Sequence, residues 1–157
     1  MASNVLSLYR RIIRWPAGHW LFTRAVCFKA PYFASISPLI KTLEPNRCVA
    51  TFRHRRRVTN HLGTVHAIAL CNIAELSAGL MTDASLPPSM RWIPKGMTVE
   101  YVKKAAGTMC ATALPGQRIV ESDEGYELPV HVTVTDPDDE TVFRARILMW
   151  LSPRPSR

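Results

Sequence analysis

The sequence predicts an α+β domain in which one long buried helix lies against an antiparallel sheet. Three observations predict it. Residues 65–81 are almost entirely apolar, with one acid, Glu75, and no Lys or Arg; a helix that is apolar all round is a buried one. Val130, Val132 and Val134 alternate with His131, Thr133 and Thr135, and Phe143, Ala145, Ile147 and Met149 alternate with Arg144, Arg146, Leu148 and Trp150. That period of two belongs to half-buried strands. The order of elements is two short helices, two strands, the long helix and four strands. A single helix enclosed by a sheet is an α+β layout. It leaves a sheet face or edge uncovered, which favours an oligomer.

Each element has its own reason in the chain. Ser3 or Asn4 can cap a first helix carrying Val5, Leu6, Leu8, Tyr9, Ile12 and Ile13 at helical spacing. Trp15-Pro16-Ala17-Gly18 divides it from a second helix over 19–28, which stops before Pro31. Residues 36–43 read as a strand, Glu44-Pro45-Asn46-Arg47 as a turn by composition, and 48–58 as the next strand. The loop 59–64 feeds the long helix, expected over 65–82, and Leu86-Pro87-Pro88 stops any continuation beyond it. Period-two strands are expected over 91–104 and 108–121, with a bend at Ala105-Ala106-Gly107 and a bulge or kink at Pro115-Gly116. Asp136-Pro137-Asp138-Asp139 is a turn between the last two strands. We read residues 1–157 as one domain, made of a helical extension over 1–32, a body over 33–151 and a frayed tail over 152–157. The aromatics Trp15, Trp20, Phe22 and Phe28 of the extension are expected to be buried on the body.

Charge is lopsided. Residues 1–60 hold eleven Lys/Arg against one acid, Glu44, and residues 61–157 hold nine against eleven acids. The basic part suits nucleic acid, anionic lipid or a phosphate-bearing ligand, or is simply solvated. In Arg53-His54-Arg55-Arg56-Arg57 a strand would place Arg53, Arg55 and Arg57 on one face. That face is either a solvated edge that resists aggregation or a phosphate-binding one. No helix-turn-helix, zinc-finger or RNA-recognition pattern supports a specific nucleic-acid partner. No apolar run reaches the roughly 18–20 residues of a membrane span. Cys27, Cys48, Cys71 and Cys110 form no C-x-x-C pair, so reduced thiols in the cytoplasm are expected. The Arg-rich, acid-free amino terminus leaves a mitochondrial presequence as the alternative.

The chemistry concentrates between Asn60 and Met81. A polar loop, Asn60-His61-Leu62-Gly63-Thr64, precedes His66 and the apolar helix. Burying a lone carboxylate such as Glu75 without partners is costly, and such a setting makes a useful general base. The loop Asn and His are placed to meet a substrate at the helix start. The plain alternative is a buried Glu75 bonded to Asn72 or to a neighbouring strand. Asn72, one turn before Glu75, can also orient its carboxylate. His61 and His66 are five apart without an H-E-x-x-H context, so no metal and no other cofactor is expected.

These residues resemble the hotdog fold of acyl-CoA thioesterases, in which a curved antiparallel sheet wraps a central helix and subunits pair edge to edge. The resemblance covers residues 33–151. Its strongest part is Asn60-His61-x-Gly63-x-x-His66-Ala67 followed by Glu75. This is similar to thioesterases of the phenylacetate-degradation type, which carry Asn, then Gly-x-x-His-Gly-Gly, then a helix carboxylate. Met90 to Ala105, MRWIPKGMTVEYVKKA, resembles a bacterial hotdog subfamily of unassigned function that also has a basic helical amino terminus. The resemblance implies hydrolysis of acyl-CoA or an acyl-carrier thioester by a homodimer or larger homo-oligomer. Glu75 would be general base or nucleophile, with Asn60 and His66 orienting water or the carbonyl. The N–H groups near His66 and Ala67 would polarise the thioester. His61, Gly63, Thr64, Ala67, Asn72 and Gly79 would line the substrate site. Ala67 and Ile68 stand where the family has two glycines, and Ile68 narrows the approach. Gly79, one turn beyond Glu75, either leaves room for an acyl group or serves close helix–sheet packing. Hotdog dehydratases pair a loop His with a helix Glu fourteen residues on, the spacing of His61 and Glu75, although their Pro-Gly at the helix start is missing. A dehydratase or hydratase is therefore the second reading, and a non-catalytic acyl-binding module the third.

Overall fold

The structure, a computed structural model, describes residues 4–155. Six strands form one antiparallel sheet: β1 (Leu39–Glu44), β2 (Arg47–Phe52), β3 (Met90–Tyr101), β4 (Met109–Pro115), β5 (Tyr126–Thr135) and β6 (Thr141–Pro153), in the order β1-β2-β4-β5-β6-β3. Its inner face is the alternating apolar set the sequence announces. Leu128, Val130, Val132 and Val134 of β5 and Phe143, Ala145, Ile147, Met149 and Leu151 of β6 are buried. Against this face lies the long helix α3 (Ala67–Ser85), with Ile73, Ala74, Ala78 and Met81 in the core. It packs most closely on β4 and β2, whose inward residues include Ala50, Ala111 and Ala113. These small side chains let the helix approach the sheet. A sheet wrapped round one central helix in this way is the hotdog fold.

The amino-terminal helix α1 (Asn4–Ile12) and a 3-10 turn at Pro31–Ile36 cover the face of α3 that the sheet leaves open, while α2 (Gly18–Lys29) packs on β1, the 3-10 turn and α1. Gly18 permits the tight α1–α2 corner, since a Cβ there would stand 2.3 Å from the Ile12 carbonyl oxygen. Leu6, Tyr9 and Phe22 enter the core, and Thr23 Oγ1 ties α2 to β1 by accepting the Ile40 N–H at 2.9 Å. The aromatics divide against expectation. Phe22 is buried, but Trp15, Trp20 and Phe28 are 69%, 56% and 92% exposed. The reason is helical spacing. Trp20, Arg24 and Phe28 recur every four residues on one face, opposite the Phe22, Thr23 and Cys27 face that meets the body.

Other boundaries move where a pairing partner decides them. The strand expected over 48–58 ends at Phe52, which pairs with Met109 at the start of β4. The chain then turns through a 3-10 segment at Arg56–Val58, so Arg53, Arg55 and Arg57 do not share a strand face. Residues 36–38 precede β1, β4 stops at Pro115, and β6 runs on to Pro153 inside the expected tail. The Ser3 cap and residues 156–157 of the tail lie outside the described residues. The four cysteines are free thiols. Burial pushes the Cys48 thiol up to about 12. No helix among the described residues is long and apolar enough to cross a membrane.

Candidate active site

The loop before α3 is held by its own side chains. Asn60 Oδ1 accepts the N–H groups of Leu62 and Thr64 at 3.0 and 3.1 Å, and its amide nitrogen donates to Thr64 Oγ1. Gly63 turns the loop at φ 75, a conformation that favours glycine. The Val65 N–H bonds to the Ala105 carbonyl, so α3 starts at Ala67 rather than 65. His66 is the cap residue, with Nδ1 accepting the Ile68 N–H at 3.1 Å. The His66 N–H donates to the Val58 carbonyl. Of the N–H groups at this helix start, that of Ala67 is left with no acceptor among the described residues. It points along the positive end of a helix dipole.

Glu75 differs from expectation in one respect. It is exposed, because α3 keeps one stripe, Ile68 and Glu75 with the half-buried Cys71 between them, that neither the sheet nor the extension fully covers. Its carboxylate has no hydrogen-bond or ion-pair partner among the described residues. It stands between two cavities. One, of about 320 Å³, lies between α3 and the extension and is walled by Val5, Val26, Phe33, Leu76 and Leu80. Trp92 closes it across Gly79, where an added Cβ would be 3.0 Å from the ring, and Trp92 Nε1 donates to Asp83 Oδ1 at 2.6 Å. The other, of about 250 Å³, is framed by Pro94, Lys95, Gly96 and Met97 at a bulge in β3.

Asn72 does not orient Glu75. Its amide nitrogen donates to Ser35 Oγ at 3.0 Å, across to the 3-10 turn of the extension. Its Oδ1 is buried without a partner, beside a third cavity of about 170 Å³ that His66 also lines. His61 is exposed and lines neither cavity that Glu75 borders, so a single chain does not assemble the His61–Glu75 pair. Thr64 and Gly63 serve the loop rather than a cavity. Gly79 admits Trp92 by close packing and also borders the larger of the two cavities beside Glu75. Sequence reasoning missed Trp92, Asp83, Val26 and Phe33 as cavity walls. Their one legible trace is a bulky residue near a lone helical glycine, and nothing local in the sequence links the two.

Separation decides what one chain can do. Ala67 and Glu75 are eight positions apart on α3, about 12 Å along the axis at 1.5 Å per residue. A helix-start donor and a carboxylate about two turns apart on one helix are poorly placed to act together on a single reacting carbonyl. β3, meanwhile, is a twelve-residue edge strand paired only with β6. Ile93, Met97 and Tyr101 are exposed along it. Cys71 Sγ lies 3.4 Å from Tyr101 Oη, joining the uncovered stripe of α3 to the end of that strand. Long apolar edges of this kind are covered in native proteins. Among the described residues no group of His, Cys, Asp and Glu could hold a metal ion.

Comparison with known proteins extends this picture. Residues 18–151 match the family model described as domain of unknown function DUF4442. The crystal structure of the genomics protein APC5556 is 46% identical, with a TM-score of 0.82 over 96% of this chain and 97% of that one. The thioesterase HI1161 of Haemophilus influenzae is 12% identical, with a TM-score of 0.73 over 85% of this chain and 90% of its own. A thioesterase family protein of Silicibacter pomeroyi is 14% identical, with a TM-score of 0.68 over 83% and 96%. Identities this low carry the fold alone. A search of curated proteins finds no match.

Proposed function

The chain belongs to the DUF4442 family, and we propose that it hydrolyses acyl thioesters, of coenzyme A or an acyl carrier, at a site shared by two copies of the chain. The observation that carries the reading is the unpaired Glu75 carboxylate at the rim between an apolar cavity and a cavity bordered by Lys95. The acyl group enters the apolar cavity. Its volume of about 320 Å³ and its apolar walls suit a medium-length or aryl acyl group. The thioester carbonyl then lies at Glu75, and the thiol side leaves past Lys95.

Glu75 takes a proton from water as the water oxygen attacks the carbonyl carbon, or attacks directly to form an anhydride that water opens. In the first route the C–S bond breaks as the sulfur takes the proton Glu75 received from water; in the second the sulfur leaves as thiolate and takes its proton from the water that opens the anhydride. Negative charge develops on the carbonyl oxygen, and a fixed N–H is the group that stabilises it. The separation of about 12 Å along α3 between Ala67 and Glu75 supports a donor from the other copy, with β3 edges paired. The named functions of the Haemophilus influenzae and Silicibacter pomeroyi neighbours support the reaction class. The free thiols support a reducing compartment, the cytoplasm.

The test is a hydrolysis screen across acyl-CoA chain lengths and aryl acyl groups, with Glu75→Gln as control. The reading expects turnover of a medium-length or aryl substrate that falls at least about a hundredfold in the variant. A wild-type protein that binds these thioesters without hydrolysing them would instead be an acyl-binding module.

A further inference from the structure

We infer that the basic recess between α2 and the β1–β2 hairpin is a binding site for a phosphorylated nucleotide. The recess is about 570 Å³, and Trp20 and Arg24 of α2, Lys41 of β1, and Arg53 and Arg55 beyond β2 line it. No Asp or Glu is among the lining residues. The ion pairs among the described residues engage Lys95, Lys103 and Arg144, so all four cations of the recess are without a carboxylate. Four like charges lining one recess without a paired carboxylate favour an anion there. The Ser37 and Thr108 hydroxyls, also in the lining, add neutral donors of the kind that accompany phosphate.

Two further features narrow the ligand. Trp20 is more than half exposed and stands at the wall, with the Arg24 guanidinium 6.0 Å from its ring centroid. An indole face beside guanidinium groups suits an aromatic base stacked next to phosphates. At about 570 Å³ the recess is within the size range of small-molecule sites. It is a concave space between a helix and a hairpin, which fits a small ligand better than a duplex or a bilayer. The site is separate from the Glu75 cavities. Val26 and Lys29 of α2, with Ala30 just beyond it, line the larger of those, whereas Trp20 and Arg24 are on the opposite face of the helix. The inference therefore does not rest on thioester hydrolysis. It also gives a role to Arg53 and Arg55, which neither a strand face nor an ion pair explains.

The experiment is titration calorimetry of the full chain with adenosine 3′,5′-bisphosphate, ATP, coenzyme A and inorganic phosphate. It is repeated on R53A/R55A, W20A and E75Q. Saturable binding of at least one nucleotide is expected. It should weaken about tenfold or more in R53A/R55A, weaken measurably in W20A and remain as in wild type in E75Q. Coenzyme A binding more tightly than ATP, with a raised acyl-CoA KM in R53A/R55A, identifies the ligand as the nucleotide end of a substrate. ATP binding more tightly, with KM unchanged, identifies a free nucleotide. The inference is overturned by no saturable nucleotide binding up to about 10 mM. It is equally overturned by affinity unchanged in R53A/R55A, or by inorganic phosphate binding where nucleotides do not.

Discussion

Replacing Ala67 by Pro removes one N–H group and very little else. Ala67 is the first residue of α3, the position where Pro is favoured because the N–H has no helical partner there. His66, at φ −66 and ψ 137, already has the extended conformation required before Pro. The Ala67 N–H makes no hydrogen bond among the described residues, and the Ile68 cap on His66 is untouched. Stability should therefore change by less than about 1 kcal/mol, a shift of at most about 4 °C in Tm for a chain of this size. If this N–H faces the developing oxyanion, its loss costs about 2.7–4 kcal/mol of transition-state stabilisation, a fall of about 10² to 10³ in kcat. The assay is steady-state hydrolysis of the best thioester, with thermal unfolding run beside it. A variant that keeps both its Tm and its kcat would refute the assignment of the donor.

Further outcomes are expected from the same geometry. Gly79→Ala places a methyl 3.0 Å from a Trp92 ring that Asp83 restrains. A helix gain of about 1 kcal/mol then opposes an overpacking cost of about 1–3. The preferred acyl length should shorten by about one methylene, which substrate-length profiles will show or deny. Charges placed on the exposed edge of β3, as Met97→Glu with Tyr101→Glu, should convert a dimer to monomer in light scattering; a monomeric wild type at micromolar concentration would count against the shared site. Deleting residues 1–32 removes Leu6, Tyr9 and Phe22 from the core, each worth about 1.5–3 kcal/mol. A truncated protein as stable and soluble as the full chain would identify a disposable leader instead.

The long helix and the sheet were legible because periodicity reports burial directly. Residues 65–81 and the alternating valines of β5 declare their partners without naming them. Strand ends were less legible, since β2 stops where β4 begins to pair with it and not where its composition changes. Glu75 could be singled out as a lone acid on an apolar helix, but its exposure could not. A helix apolar on every side has no visible seam, and which stripe stays open depends on where the extension and β3 lie. The Asn72–Ser35 bond joins positions 37 apart in sequence, and no local pattern announces it. The exposed Trp20 and Phe28 show the opposite failure. Composition argued for burial, while their spacing with Arg24 already placed them on one outward face.

The central claim is that one copy supplies Glu75 and the other supplies the Ala67 N–H. It can be measured by mixing Glu75→Gln and Ala67→Pro proteins after dissociation and reassociation. Each variant alone should be nearly inactive. A mixed dimer has one site with both groups intact, so the account predicts that thioester hydrolysis returns to about one quarter of the wild-type rate at equal mixing, as half of the dimers are mixed and each carries one working site of two. A mixture no more active than the variants apart, with subunit exchange verified, would contradict a site shared between copies.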